Sequence, residues 1–187
     1  EAKALIPKAN AAYGFVVPAV LDLGANLRWI ACPAAGPPAG YYHQAMIDSD
    51  VVVTNTREIY NDHISAHIMA FLLAFARGLH VYVRRQLNGE WKPGYKSVYL
   101  PESTAVIVGV GGIGGETARL CSELGITVLG VDARRTDTPR GVSDMYRPES
   151  LDEVLPRGDF VIVTVPETPK TQRLFTSDKF ALMKASA

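Results

Sequence analysis

Residues 104–132 read TAVIVGVGGIGGETARLCSELGITVLGVD, and this stretch decides the fold. Thr104–Gly109 is an unbroken apolar run, the pattern of a short strand buried on both faces. Gly115–Gly125 reads as a helix with a glycine stop, and Ile126–Asp132 as a second strand. Strand, helix and strand in that order make a crossover unit, which implies a parallel sheet. The turn between the first strand and the helix is Gly109-Val110-Gly111-Gly112-Ile113-Gly114, spaced G-x-G-x-x-G. Gly109 permits the tight turn, Gly111 lets a diphosphate approach the backbone, and Gly114 lets helix and strand pack closely. The free amides of a helix start, Gly112 and Ile113 among them, favour negative charge. Asp132 follows Gly114 by 18 residues, at the end of the next strand. There a carboxylate accepts hydrogen bonds from the adenosine ribose and repels a 2′-phosphate, so the spacing implies a dinucleotide, with NAD favoured over NADP. Arg134 and Arg135 pull the other way, since guanidinium groups suit a phosphate, and NADP stays possible. No Gly-Lys-Ser/Thr follows the glycines, which excludes a nucleoside-triphosphate loop.

Outward from this unit the pattern continues. Ser150-x-x-Glu153 reads as a capping box, Asp159–Val165 as a buried strand, and Thr176 or Ser177 as the cap of a helix reaching about Lys184. Towards the start, Ala12–Val17, Leu27–Ala31 and Val51–Thr54 read as strands separated by helical segments. Pro33, Pro37 and Pro38 break the loop Cys32–Gly40. Tyr41, Tyr42 and His43 read as the start of a helix packed on the sheet. One long helix is expected from Asp62 to Leu87, capped by Asn61 or Asp62. Its first turns are apolar nearly all round, so it needs cover from another domain or a second subunit. Asn88-Gly89 and Pro93-Gly94 follow, and the expected domain boundary lies near Leu100. The chain opens without a strand feeding its first helix and stops where a further strand is due, so a segment of a longer chain is expected.

Strands alternating with helical segments make this an α/β chain, and its composition is the ordinary mix of a soluble globular protein. Lys and Arg number 19, Asp and Glu 19, and the zero net charge argues against a nucleic-acid surface. Ile64–Ala76, the longest apolar stretch, is interrupted by His67 and is too short to span a bilayer. Cys32 and Cys121 form neither a metal pair nor a disulfide framework, which points to a reducing, cytoplasmic setting. His63 and His67 have a metal-like spacing but lack the glutamate and third ligand of a zinc site. A surface place is expected for His63, a packed and hydrogen-bonded one for His67, and no metal for either.

The ordered series of motifs resembles the D-isomer-specific 2-hydroxyacid dehydrogenases. It consists of Leu27-Arg28-Trp29-Ile30, Ala34-Ala35-Gly36, Val53-Thr54-Asn55, Trp91, Gly109–Gly114, Leu151-x-x-x-Leu155, Val165-Pro166-Glu167-Thr168-Pro169-x-Thr171 and Leu182-Met183-Lys184. The resemblance implies a Rossmann cofactor domain, residues 101–187, joined to part of a flavodoxin-like substrate domain, residues 1–100. It implies hydride transfer between NAD and a small 2-oxo or 2-hydroxy acid, and a homodimer formed near the long helix. The amides of Ala35 and Gly36 would cradle the substrate carboxylate. Val165, Pro166 and Thr171, with Arg134, would complete the cofactor site. The family's catalytic Arg, Glu and His fall beyond Ala187, so no residue here is assigned a catalytic role and the segment alone is expected to be inactive. Two positions depart from the family pattern: Glu58 stands where glycine is usual, and Ala66 where an acid is frequent. Two rival readings are an NAD-sensing, corepressor-like binding protein and an inactive cofactor-binding fragment.

Overall fold

The computed structural model describes residues 1–36, 38 and 40–187, so Pro37 lies outside the described residues. The chain forms two compact units. The first comprises Glu1–Tyr60 with Pro166–Gln172, and the second Asn61–Val165 with Arg173–Ala187.

In the first unit, β1 (Ala11–Tyr13), β2 (Trp29–Cys32) and β3 (Val52–Asn55) form a parallel sheet in that order. Its helices are single turns: α1 (Ala2–Leu5), α2 (Pro18–Leu21) and α3 (Gln44–Ile47). Ile6, Val16, Leu21, Leu27, Ile30 and Met46 close its core on one face of the sheet. The first strand is shorter than Ala12–Val17, because Gly14 turns away at φ 114°. Pro18 then opens α2, where its fixed φ suits a first helical turn. His43 caps α3, its Nδ1 accepting the Met46 N–H at 3.2 Å.

The second unit holds α4 (Asn61–Ala76), α5 (Leu79–Leu87), β4 (Thr104–Val108), α6 (Gly112–Glu123), β5 (Thr127–Val131), β6 (Asp144–Tyr146), α7 (Leu151–Val154), β7 (Phe160–Val163) and α8 (Ser177–Leu182). The four strands are parallel in the order β6-β5-β4-β7. Ala105 and Ile107 pack on one side with Met69 and Leu72 of α4 and Ala118 and Cys121 of α6. Val106 and Val108 pack on the other with Leu151, Val154 and Leu155. Cover on both faces is why β4 carries no polar alternation. Strand order reverses at β4, whose two neighbours are β5 and β7, and in such sheets ligands bind at the carboxyl ends beside that point.

Several sequence expectations are corrected here. The single helix Asp62–Leu87 is two helices bent by 70°. Gly78 takes a left-handed φ of 68° at the break, and the Tyr95 ring packs on it where a side chain would stand. The second unit begins at Asn61, well before Leu100, because the buried stripe Ser65, Met69, Leu72 and Ala76 faces α6. Helix α6 starts at Gly112, three residues earlier than expected. Ser150 does not cap α7: its backbone is folded at φ −88° and ψ 5°, whereas a capping side chain needs an extended residue. Thr176 flanks α8 without a side-chain cap. His67 is exposed, edge-on to Phe71 at 4.8 Å. The edge strand β6 has no counterpart in the sequence reading. No single helix among the described residues is long and apolar enough to cross a membrane.

Candidate functional site

The carboxyl end of β4 runs directly into the glycine turn. Gly109 has φ 94°, a conformation that side chains disfavour, and a Cβ on it would stand 2.8 Å from the Val165 backbone nitrogen. A Cβ on Gly114 would collide with the Gly109 carbonyl oxygen, so the helix meets the strand backbone directly. A Cβ on Gly111 would meet nothing within 4 Å. The first and last glycines are thus required by the fold, and Gly111 instead keeps space open. Gly111 also stands just before α6 and has no side chain to cap it. The amides of Gly112, Ile113 and Gly114 find no acceptor among the described residues. They form the anion-binding end of a helix beside an open approach.

Asp132 follows β5 and reaches this turn. Its Oδ2 accepts the Val110 N–H at 2.8 Å, and its Oδ1 accepts the N–H groups of Arg134 at 2.8 Å and Arg135 at 2.9 Å. Partial burial pushes its pKa up, but the three amides, with the Arg135 charge, pull it down further. The carboxyl therefore sits below the ordinary aspartate range and is ionised at neutral pH. The amides use three of about four acceptor positions, leaving one for an incoming hydroxyl.

Arg135 is committed: its Nη1 donates to the Val110 carbonyl at 2.9 Å and its Nε to Asp137 at 3.0 Å. Arg134 is exposed, and its side chain has no partner among the described residues. The sequence offers Asn61 only as a candidate helix cap and does not show its place at the glycine turn; it is the first residue of α4. Its carboxamide lies over Gly112, with Nδ2 only 2.5 Å from where a Cβ would be. The signal that marks it is a second consecutive glycine at the start of α6, which leaves room for a neighbour.

Val165 sits against Gly109, in the second unit. Pro166 and Thr171 belong to the first unit. Thr171 Oγ1 donates to the Pro166 carbonyl at 2.6 Å and accepts the Thr168 N–H at 2.9 Å, fastening that turn. Ala35 and Gly36 are exposed in the first unit. Asn55 Nδ2 holds the Ala35 carbonyl at 2.9 Å, and Thr56 Oγ1 holds Pro33 at 2.9 Å. A Cβ on Gly36 would meet nothing within 4 Å. That leaves the loop tip accessible.

An open glycine turn, unpaired helix amides and an acid at the next strand end define a dinucleotide-binding unit. The family model for the D-isomer specific 2-hydroxyacid dehydrogenase NAD binding domain matches residues 69–187, and the chain belongs to this family. It is 32% identical to a glyoxylate reductase of Pyrococcus furiosus over 73% of this chain and 43% of that protein. It is also 32% identical to a glyoxylate reductase of Thermococcus kodakarensis over 90% of this chain and 52% of that one. A solved structure of a family protein from Aeromonas salmonicida superimposes with a TM-score of 0.83 at 28% identity, covering all of this chain and 59% of that one. The chain spans about half the length of these curated relatives.

Proposed function

We propose that the protein takes part in hydride transfer between NAD and a small 2-oxo or 2-hydroxy acid, with this chain supplying the cofactor cradle. The observation that carries the reading is the set of acceptor-free amides at Gly112, Ile113 and Gly114, facing the open side of Gly111 with Asp132 bonded to the same turn. The amides would hold the diphosphate, and the Asp132 carboxylate would hold a ribose hydroxyl and disfavour a 2′-phosphate. Bound there, the cofactor supplies the hydride chemistry; the chain's residues bind and orient it. The exposed loop at Ala35 and Gly36 is the proposed seat of the substrate carboxylate. Two free, buried cysteines fit the reducing, cytoplasmic setting proposed from the sequence.

Each of the four histidines is otherwise engaged or exposed. His43 caps α3, His63 pairs with Asp62, His67 meets Phe71, and His80 packs between Phe75 and Tyr95. None is assigned the proton transfer. Saturable NADH binding by this chain, and oxidation of NADH by the natural protein with glyoxylate, hydroxypyruvate or pyruvate, test the proposal. A chain that binds neither NADH nor NADPH overturns it.

A homodimer is part of the same proposal. Phe71, Phe75, Leu79, Val83 and Leu87 leave an apolar surface exposed on α4 and α5. Light scattering that returns the monomer mass at high protein concentration counts against it.

A further inference from the structure

Two carbonyls of the glycine turn are held by hydroxyls that lie outside it. Thr164, just after β7, donates through Oγ1 to the Gly109 carbonyl at 2.5 Å. Ser65, on α4, donates to the Ile113 carbonyl at 3.0 Å. Thr117, one turn further along α6, lies 2.9 Å from that carbonyl oxygen and 3.1 Å from Ser65 Oγ. The two hydroxyls have two protons for three contacts. Ser65 therefore bonds the carbonyl, and Thr117 bonds either the carbonyl or Ser65 Oγ. Ser65 and Thr117 are both fully buried, where a hydroxyl left without a partner is costly, so the pair has little freedom to rearrange.

A planar peptide couples each carbonyl to the N–H that follows it, pointing the opposite way. Holding the Gly109 oxygen therefore aims the Val110 N–H, which runs to Asp132 Oδ2 at 2.8 Å. Holding the Ile113 oxygen aims the Gly114 N–H back towards the start of α6, among the amides that have no acceptor. Four of the six turn residues are glycine, the residue with the most backbone freedom to lose. Fixing the amides of a turn of this composition in one direction therefore costs more entropy than in an ordinary turn.

We infer that Thr164, Ser65 and Thr117 are positioning residues for the dinucleotide, a hydroxyl brace that fixes the peptide planes at both ends of the glycine turn before the diphosphate arrives. The inference rests on the NAD-binding reading and adds how the cradle is held ready. Preorganised donors bind without first losing entropy, so loosening the brace weakens binding even while the fold persists.

Thr164→Val removes the hydroxyl with little change of shape, and Thr164→Ser keeps it. Ser65→Ala and Thr117→Val do the same work at the other end. The readouts are the NADH dissociation constant from fluorescence titration, the melting temperature, and hydrogen exchange at the Gly111–Gly114 amides. Thr164→Val and Ser65→Ala are expected to weaken NADH by roughly three- to tenfold, the worth of one net hydrogen bond, and to speed exchange at those amides. Thr164→Ser should bind close to wild type. A purely structural role would lower the melting temperature and leave NADH affinity and amide exchange where they were, and that result overturns the inference. If Thr164→Val fails to fold, Ser65→Ala decides: Thr117, on α6 itself, can still donate to the Ile113 carbonyl and keep the fold, while the carbonyl loses the Ser65 bond that anchors its peptide to α4. Wild-type protein that does not bind NADH defeats the underlying reading. Wild type that binds, with variants that bind equally well, defeats the brace alone.

Discussion

Gly111→Ala separates what the fold needs from what the cofactor needs. Gly111 has φ −80° and ψ −150°, which alanine adopts readily, and its added methyl would meet nothing within 4 Å. Alanine is a poorer helix-start residue than glycine by a few tenths to about 1 kcal/mol. It also restricts the unfolded chain, which returns about 0.4–1 kcal/mol. The two nearly cancel, so stability should stay within about 0.5 kcal/mol of wild type. The methyl would, however, fill the space through which a diphosphate reaches the amides of Gly112, Ile113 and Gly114. Hydrogen bonds to a charged group are worth about 1.5–3 kcal/mol each, so weakening two of them costs on the order of 3 kcal/mol. That is roughly a hundredfold in affinity or more. Thermal unfolding and NADH titration of one preparation measure both quantities. Gly114→Ala is the counterpart. Its methyl collides with the Gly109 carbonyl and comes within 2.8 Å of Thr164 Oγ1. It should destabilise the fold itself by about 1–3 kcal/mol or more. Wild-type NADH affinity in Gly111→Ala would refute the placement of the diphosphate.

Two further predictions concern single residues. Glu58 has φ 75° where the resemblance leads one to expect glycine. The left-handed backbone costs about 1–2 kcal/mol, and glycine's extra freedom in the unfolded chain returns part of it, so Glu58→Gly should stabilise by about 0.5–1 kcal/mol. The exposed Arg57–Glu58 pair lost with it is worth little, and calorimetry showing a lower melting temperature would contradict the assignment of strain. Asp132 has a folded pKa below its ordinary 3.8, so its contribution to stability is complete above that value and is lost as pH falls through the depressed one. Wild type should be more stable than Asp132→Asn at neutral pH, and the gap should close in acid; urea unfolding across pH that shows a constant gap would contradict it.

The parts of this molecule set by local pattern were legible in the sequence. The apolar run of β4, the glycine spacing and the acid after β5 are each fixed within a few residues, and the cofactor turn follows from them. Parallel sheets in both units follow from strands alternating with helical segments. What escaped depends on distant neighbours. The break at Gly78 is set by Tyr95, seventeen positions on, and helical periodicity alone ran through it. The division at Asn61 reflects packing of α4 on α6, which no composition shift marks. Strand β6 is a three-residue edge with a polar residue at its start, too short to show a period. Asn61, Ser65, Thr117 and Thr164 read singly as helix, core or strand-end residues. They become a constellation only when α4, α6 and β7 meet at the glycine turn.

The central claim is that the glycine turn and Asp132 together form the dinucleotide cradle. Its most direct test is a parallel titration of NADH and NADPH against wild type and Asp132→Ala. Wild type should bind NADH the more tightly. Asp132→Ala should cut NADH affinity roughly ten- to a hundredfold, the worth of a charged hydrogen bond, while NADPH loses less because the repulsion of its phosphate goes too. An NADH-to-NADPH ratio that the substitution leaves unchanged would contradict the account.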